Sequence, residues 1–389
     1  MKSLFTVLLT TSLALSFATS FNAAYAAEET IVKIGHVAPI SGAISHLGKD
    51  NENGARMAVE DLNAKGTVIN GKKVKFVLVA EDDGADPKQA TAAAQKLVDA
   101  KVNAVVGHLT SGTSIPAAKI YNDAGIPQIA PSVTAIGYTA MGYKSTFRIV
   151  ANDAQLGSAL GRYAIDTLKA RTVAVIDDRT AFGQGLADQF IKGVNATKGA
   201  MVDVKMVPRQ FTNDKATDFN AILTAIKSRK PDVIFFGGMD AVAGPMLRQI
   251  KSLGINAKFI GGDGICSEKL AELAGDTLVK GQVICAVAGG IAETDKKSLA
   301  DFNVAYKKRF ATAVQIYAPY GYDAVMTIAD AMQQAKSTDP AVYLPYLQKI
   351  HHKGVTGMIA FDAKGDIKDG ALTLFTYSAG KREEIAVIR

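Results

Sequence analysis

From Ile31 onward, short runs of β-branched and other apolar residues alternate with stretches in which apolar positions recur at helical spacing. The runs predict strands at Val32 to Val37, Val74 to Ala80, Ala104 to Gly107 and Pro127 to Ala130. They recur at Thr172 to Ile176, Met201 to Val207, Val233 to Phe236 and Lys258 to Gly261. Between them the pattern predicts helices at Asn51 to Ala64, Pro87 to Ala100, Gly183 to Ala196, Ala216 to Ser228 and Ala241 to Leu253. In Asp86-Pro87 the aspartate can accept an orphan N–H while proline pre-sets φ at the first helical position. An alternation of this kind is that of an α/β chain whose parallel sheets are covered on both faces.

After Gly289 the pattern changes to longer helical stretches around Asp301 to Phe310 and Tyr317 to Ala335, then strand candidates at Gly354 to Phe361, Leu372 to Tyr377 and Glu384 to Ile388. Two β/α runs separated near Phe147 to Val150, followed by a tail too short for a third domain, predict two lobes that share the tail. Such a chain crosses between lobes more than once, which makes a hinge and hence a closable cleft. The expected division is 27–148 with 286–357 in one lobe and 149–285 with 358–389 in the other.

The first residues add a location. Lys2, the apolar run Leu4 to Phe17 and the small residues ending at Ala24-Tyr25-Ala26 have the order of a cleavable secretory signal at 1–26. Leu4 to Phe17 would span only about 21 Å as a helix, short of a hydrocarbon core of roughly 30 Å. The net charge of +7 is spread along the chain without an aromatic platform, which argues for a solvated surface rather than a nucleic-acid partner. Of the 2 cysteines, Cys266 and Cys285, the oxidising compartment implied by export favours a local disulfide.

Catalytic signatures fail together. The 5 histidines, His36, His46, His108, His351 and His352, show no zinc-ligand spacing, so neither a metal nor another cofactor is expected. Gly183-Gln184-Gly185 opens a helix but is followed by Asp188 where a dinucleotide loop needs a third glycine. There is no Gly-x-Ser-x-Gly elbow and no phosphate-cradling loop, and Glu81-Asp82-Asp83-Gly84 lacks the spacing of a calcium loop. A non-enzymatic protein is the expectation.

Blocks of residues then carry a resemblance. Ser41 to Gly48, Asn53 to Arg56, Asp82 to Ala90, Gly107 to Ser111, Ala130 to Ala135, Asp178 to Ala187, Phe236 to Gly238, Leu247 to Gln249, Gly261 to Gly264 and Phe361 to Asp366 follow one another as in the periplasmic leucine/isoleucine/valine-binding proteins, which the chain closely resembles. That resemblance implies the type I periplasmic binding protein fold: two Rossmann-like lobes with parallel central sheets and a multi-crossing hinge. It also implies a small amino-acid ligand, a periplasmic location, and delivery by a monomer to the membrane permease of an ABC transporter.

An amino acid presents a carboxylate, an ammonium and a side chain, so its site needs anion donors, a counter-charge and a wall. Ser111, just past a strand end and before a helix expected to start near Ser114, matches the carboxylate anchor. Ser132 matches a position contributing a backbone carbonyl, and Thr134 one contributing hydroxyl and N–H. Asp263 matches the acidic residue that faces the ammonium, although family members commonly carry glutamate there. Leu47, Phe182, Met239 and Tyr317 match the wall; the first three replace aromatics of familiar members, which makes it more aliphatic. The bridge of those members is missing, because Ala85 and Thr110 stand at its positions. The altered wall leaves open an amide, a urea-like compound or an aromatic acid as ligand, and a periplasmic sensory ligand-binding protein as an alternative role.

Overall fold

The computed structural model describes residues 29–197, 203–290 and 293–388; the expected signal at 1–26 lies outside the described residues. The first lobe opens with β1 (Thr30–Ala38), α1 (Ser45–Ala64), β2 (Val68–Ile69), β3 (Lys72–Asp82), α2 (Pro87–Asp99), β4 (Ala104–Gly107), α3 (Ser111–Asp123), β5 (Gln128–Ala130), α4 (Gly137–Ala140) and β6 (Thr146–Arg148). The chain then runs through α5 (Asp153–Arg162), β7 (Thr172–Asp177), α6 (Ala181–Thr197), β8 (Lys205–Met206), β9 (Gln210–Phe211), α7 (Asn220–Lys227), β10 (Val233–Gly237), α8 (Asp240–Ser252), β11 (Lys258–Gly261), α9 (Lys269–Ala274) and β12 (Val283–Val287). The tail holds α10 (Lys296–Phe310), α11 (Ala318–Ala335), α12 (Pro340–Leu347), β13 (His352–Gly354), β14 (Gly357–Ile359), β15 (Leu372–Ser378) and β16 (Lys381–Ile388).

These elements build two sheets, ordered β2-β3-β1-β4-β5-β6 and β16-β15-β12-β11-β10-β7-β8, with β9 also on β7. Pairing is parallel from β3 to β6 in the first and from β12 to β8 in the second. The added β15 and β16 are antiparallel. The all-apolar stretch Val233-Ile234-Phe235-Phe236 shows why the centre is parallel: every residue of β10 is buried, so helices must cover both faces.

The tail is divided between the lobes. Helix α11 packs along α1, while β15 and β16 complete the second sheet. Both expected boundaries in the tail fall inside strands: β12 continues through Ala286 and Val287, which pair with β15, and β14 continues to Ile359, which pairs with β13. The crossing segments bond to one another, Ala151 N–H to Ala288 O at 3.0 Å and Arg148 N–H to Gly365 O at 2.9 Å.

Several local expectations are corrected. Helix α1 starts at Ser45 rather than Asn51, and α7 starts at Asn220 rather than Ala216, after an irregular turn. The expected strand at 201–207 is reduced to Lys205–Met206, with residues 201–202 outside the described residues. The expected strand from Gly354 to Phe361 is a tight hairpin, because Asp323 accepts from the N–H groups of Val355 and Thr356, both at 2.8 Å, and fixes a turn there.

Candidate ligand-binding cleft

The candidate residues follow the carboxyl ends of parallel strands. Leu47 comes after β1, Ser111 after β4, Ser132 and Thr134 after β5, Phe182 after β7, Met239 after β10 and Asp263 after β11. Open α/β sheets place ligands there, since helix N-termini and free loop groups converge beyond those ends. Only the pairing of the two lobes turns two such rims into one cleft.

On the first lobe Ser111 is itself the first residue of α3, so the helix begins earlier than Ser114. Thr110 provides no side-chain cap, and the first-turn N–H groups of a helix lack intrahelical partners. The Ser111 hydroxyl accepts from Ala135 N–H at 3.3 Å, and the Ser132 hydroxyl donates to Leu109 O at 2.8 Å. These bonds tie the 132–135 loop to the start of α3. Buried Arg148 completes the brace, donating to the carbonyls of Val133 at 3.2 Å and Ala135 at 2.8 Å and to Asp366 in the last crossing at 2.6 Å. The buried Thr134 hydroxyl has no hydrogen-bond partner within the protein.

Across the cleft Asp263 is buried; one oxygen accepts from the Tyr317 hydroxyl at 2.9 Å and the other has no protein partner. Burial pushes its carboxyl up to about 6 against the pull of that hydroxyl. Tyr317 is held by Asp50 of α1, whose carboxylate accepts the N–H groups of Gln315 at 2.9 Å, Ile316 at 3.0 Å, Tyr317 at 2.7 Å and Ala318 at 3.0 Å. Asp50 therefore fixes the turn that enters α11 and aims Tyr317 at the opposite lobe.

Asp153, absent from the sequence-derived set, joins these groups. Its N–H donates to Thr134 O at 2.8 Å, while neither carboxylate oxygen has a protein hydrogen bond. Burial, together with the nearby Asp263 charge, raises it to about 7, with Thr134 and Arg148 pulling the other way. The Thr134 hydroxyl lies beside it without hydrogen-bond geometry. The local signal here misleads: Asn152 and Gln155 form a capping box, so Asp153 looks like an ordinary acidic residue in a helix's first turn. Arg148, similarly, read only as part of a crossing.

The wall residues also meet. A Cβ on Gly264, next to Asp263, would lie 2.8 Å from both Met239 Sδ and Phe182 Cε1, so these side chains close directly over that turn. Leu47 and Tyr317 are buried in one apolar cluster with Leu109 and Ile265, against which Met239 packs. Cys266 and Cys285 are bonded, with Cα atoms 5.4 Å apart, and fasten the Asp263 turn to β12. Strand β12 is an element that sequence patterning did not isolate.

Chemically, the cleft gathers polar groups that the protein does not satisfy: one oxygen of Asp263 and both of Asp153 as acceptors, and the Thr134 hydroxyl, which can donate. Buried polar groups normally find partners. A guest with a multiply donating cationic head would satisfy the carboxylates, while its anionic end would suit the α3 terminus. Among the described residues no group of His, Cys, Asp and Glu could hold a metal ion, and no helix is long and apolar enough to cross a membrane.

Comparison with known proteins identifies the family. A family described as "Periplasmic binding protein" matches residues 31–382. An "Amino acid binding protein" of Pseudomonas aeruginosa is 37% identical over 341 residues, 87% of each chain. The "Leucine-, isoleucine-, valine-, threonine-, and alanine-binding protein" of the same organism is 33% identical over 91% of this chain and 92% of that one. The branched-chain amino acid transporter substrate binding protein LivJ of Streptococcus pneumoniae, solved with isoleucine, superposes with a TM-score of 0.80 at 27% identity, covering 92% of this chain and 99% of that one.

Proposed function

The chain belongs to the periplasmic binding protein family, and from that premise we propose that it is the solute-binding component of an ABC importer that captures an aliphatic amino acid of the leucine, isoleucine and valine kind. The protein is exported to the periplasm by cleavage of the signal at 1–26, acts as a monomer and hands its ligand to a membrane permease. It makes and breaks no covalent bond and binds no nucleic acid.

In this reading the ligand carboxylate sits at Ser111, the first N–H groups of α3 and Thr134. The ammonium faces Asp263, Asp153 and the Ser132 carbonyl, and the side chain lies against Leu47, Phe182, Met239 and Tyr317. Burying a leucine-sized side chain contributes roughly 1.5 to 3 kcal/mol. The first lobe binds the zwitterion, and rotation about the crossings brings the second lobe onto it; the ligand favours the closed form through its contacts with both lobes. The observation that carries the reading is the set of unpartnered buried carboxylate oxygens on Asp153 and Asp263, together with the N-terminus of α3, which lacks a side-chain cap.

A thermal-shift panel of amino acids, amides, urea-like compounds and aromatic acids tests it. Ligand at about a hundred times its Kd stabilises by about 2.7 kcal/mol. Leucine, isoleucine or valine should raise the melting temperature. A response to amides or aromatic acids alone would overturn the assignment.

A further inference from the structure

Resting on this reading of a protein that closes on its ligand, we propose that His46 and Asp240 form a latch between the lobes that sets the lifetime of the closed form. His46 lies in the first turn of α1 in the first lobe, and Asp240 opens α8 in the second. Their side chains meet across the cleft with Nε2 2.7 Å from Oδ2. Asp240 is completely buried there and the His46 side chain is only 18% exposed. The same Asp240 oxygen accepts from the Ser267 hydroxyl, and its other oxygen has no protein partner.

The two partners of Asp240 differ in where they belong. Ser267 is in the same lobe and travels with Asp240 when the lobes part; His46 does not. Separation exposes the carboxylate to water, whereas closure dries it and leaves a single hydroxyl unless His46 supplies a second donor. A buried carboxylate short of donors is costly, so the His46 bond contributes in the closed form only. It touches neither Asp153 nor Asp263 and acts through the fraction of closed protein, to which apparent affinity is proportional. Tyr317 to Asp263 also spans the lobes, but that carboxylate is assigned to the ligand. His46 and Asp240 are therefore positioning residues.

Stopped-flow binding of L-leucine to the full chain compares the wild type with His46→Ala, His46→Gln, and His46→Ala in an Asp240→Asn background. His46→Ala should raise the dissociation rate about 10- to 100-fold, the scale of a hydrogen bond lost from a buried charge. The association rate should stay unchanged. His46→Gln, which retains an N–H donor, should recover most of the effect. In the Asp240→Asn background, where no charge is left unpaired, the His46→Ala effect should shrink to under about threefold. An unchanged dissociation rate in His46→Ala, or an undiminished loss in the Asp240→Asn background, overturns the latch. If wild-type protein does not bind L-leucine, the ligand assignment alone fails, and small-angle scattering of the ligand-free proteins decides the latch. A smaller radius for wild type than for His46→Ala supports it, and equal radii overturn it.

Discussion

Replacing Asp50 by alanine tests how the fold aims a wall residue at the ligand. The Asp50 carboxylate accepts from successive N–H groups of Gln315, Ile316, Tyr317 and Ala318, at 2.9, 3.0, 2.7 and 3.0 Å, and from the Tyr306 hydroxyl at 3.2 Å. It thus caps α11 from a neighbouring helix. Ile316, Tyr317 and Ala318 are buried, so their N–H groups have little access to replacement water. Burial raises the Asp50 carboxyl above its usual range even against those donors, so part of what the bonds contribute is offset by desolvation. A single bond to a buried charge nets about 1.5 to 3 kcal/mol, a lost cap costs up to about 2 kcal/mol, and neither adds linearly. The expected loss is about 3 kcal/mol in denaturant unfolding. Because Tyr317 rides on this turn and donates to Asp263 at 2.9 Å, leucine affinity measured by calorimetry should fall about tenfold, as it should in Tyr317→Phe. If Asp50→Ala leaves both the unfolding midpoint and the affinity unchanged, packing of Ile316 and Tyr317 holds the turn and the carboxylate does not.

Ser111→Ala and Asp263→Ala should each weaken leucine binding at least about tenfold by calorimetry, and unchanged affinity in both would refute the assigned site. Replacing both Cys266 and Cys285 by serine, which opens a loop with a separation of 19 residues, should lower unfolding free energy by about 3 kcal/mol; an unchanged denaturation midpoint would contradict this. In the closed form burial raises Asp153 to about 7 and Asp263 to about 6. An open form, with these groups hydrated, would titrate near the ordinary carboxylate value. Closing without ligand then takes up protons, so this contribution to closure is fully present only below about pH 4 and is lost progressively as the pH rises through about 6 and 7. The ligand-free radius of gyration should shrink between pH 8 and pH 5, and expansion on acidification would be the contrary result.

Periodicity made the layered architecture legible. The predicted strand Val233 to Phe236 is a buried central strand, and Asp86-Pro87 marked a helix start whose aspartate does accept from Lys88 and Gln89 N–H groups, at 2.9 and 3.0 Å. Regular strands and helices are short-range consequences of side-chain pattern, so they survive being read from sequence alone. The ends of those elements were less visible: the 355–356 turn depends on Asp323, a partner distant in the chain that no local window contains.

For the cleft, local pattern supplied strand ends carrying serine, threonine and aspartate, and family resemblance selected among them. What they face was decided by tertiary structure. Asp153 is indistinguishable in sequence from an acidic first-turn residue, and becomes an unpartnered acceptor only because the two lobes bury it near Asp263. Arg148 is one charge among many until the crossing of the chain places Asp366 and the 133–135 carbonyls around its guanidinium. The sequence by itself determined which segments become strands and helices, because that is settled by backbone propensity and burial periodicity within a few turns. Only the folded molecule decided which carboxylates are dry and which are paired, because desolvation and hydrogen bonding depend on atoms brought together from positions hundreds of residues apart.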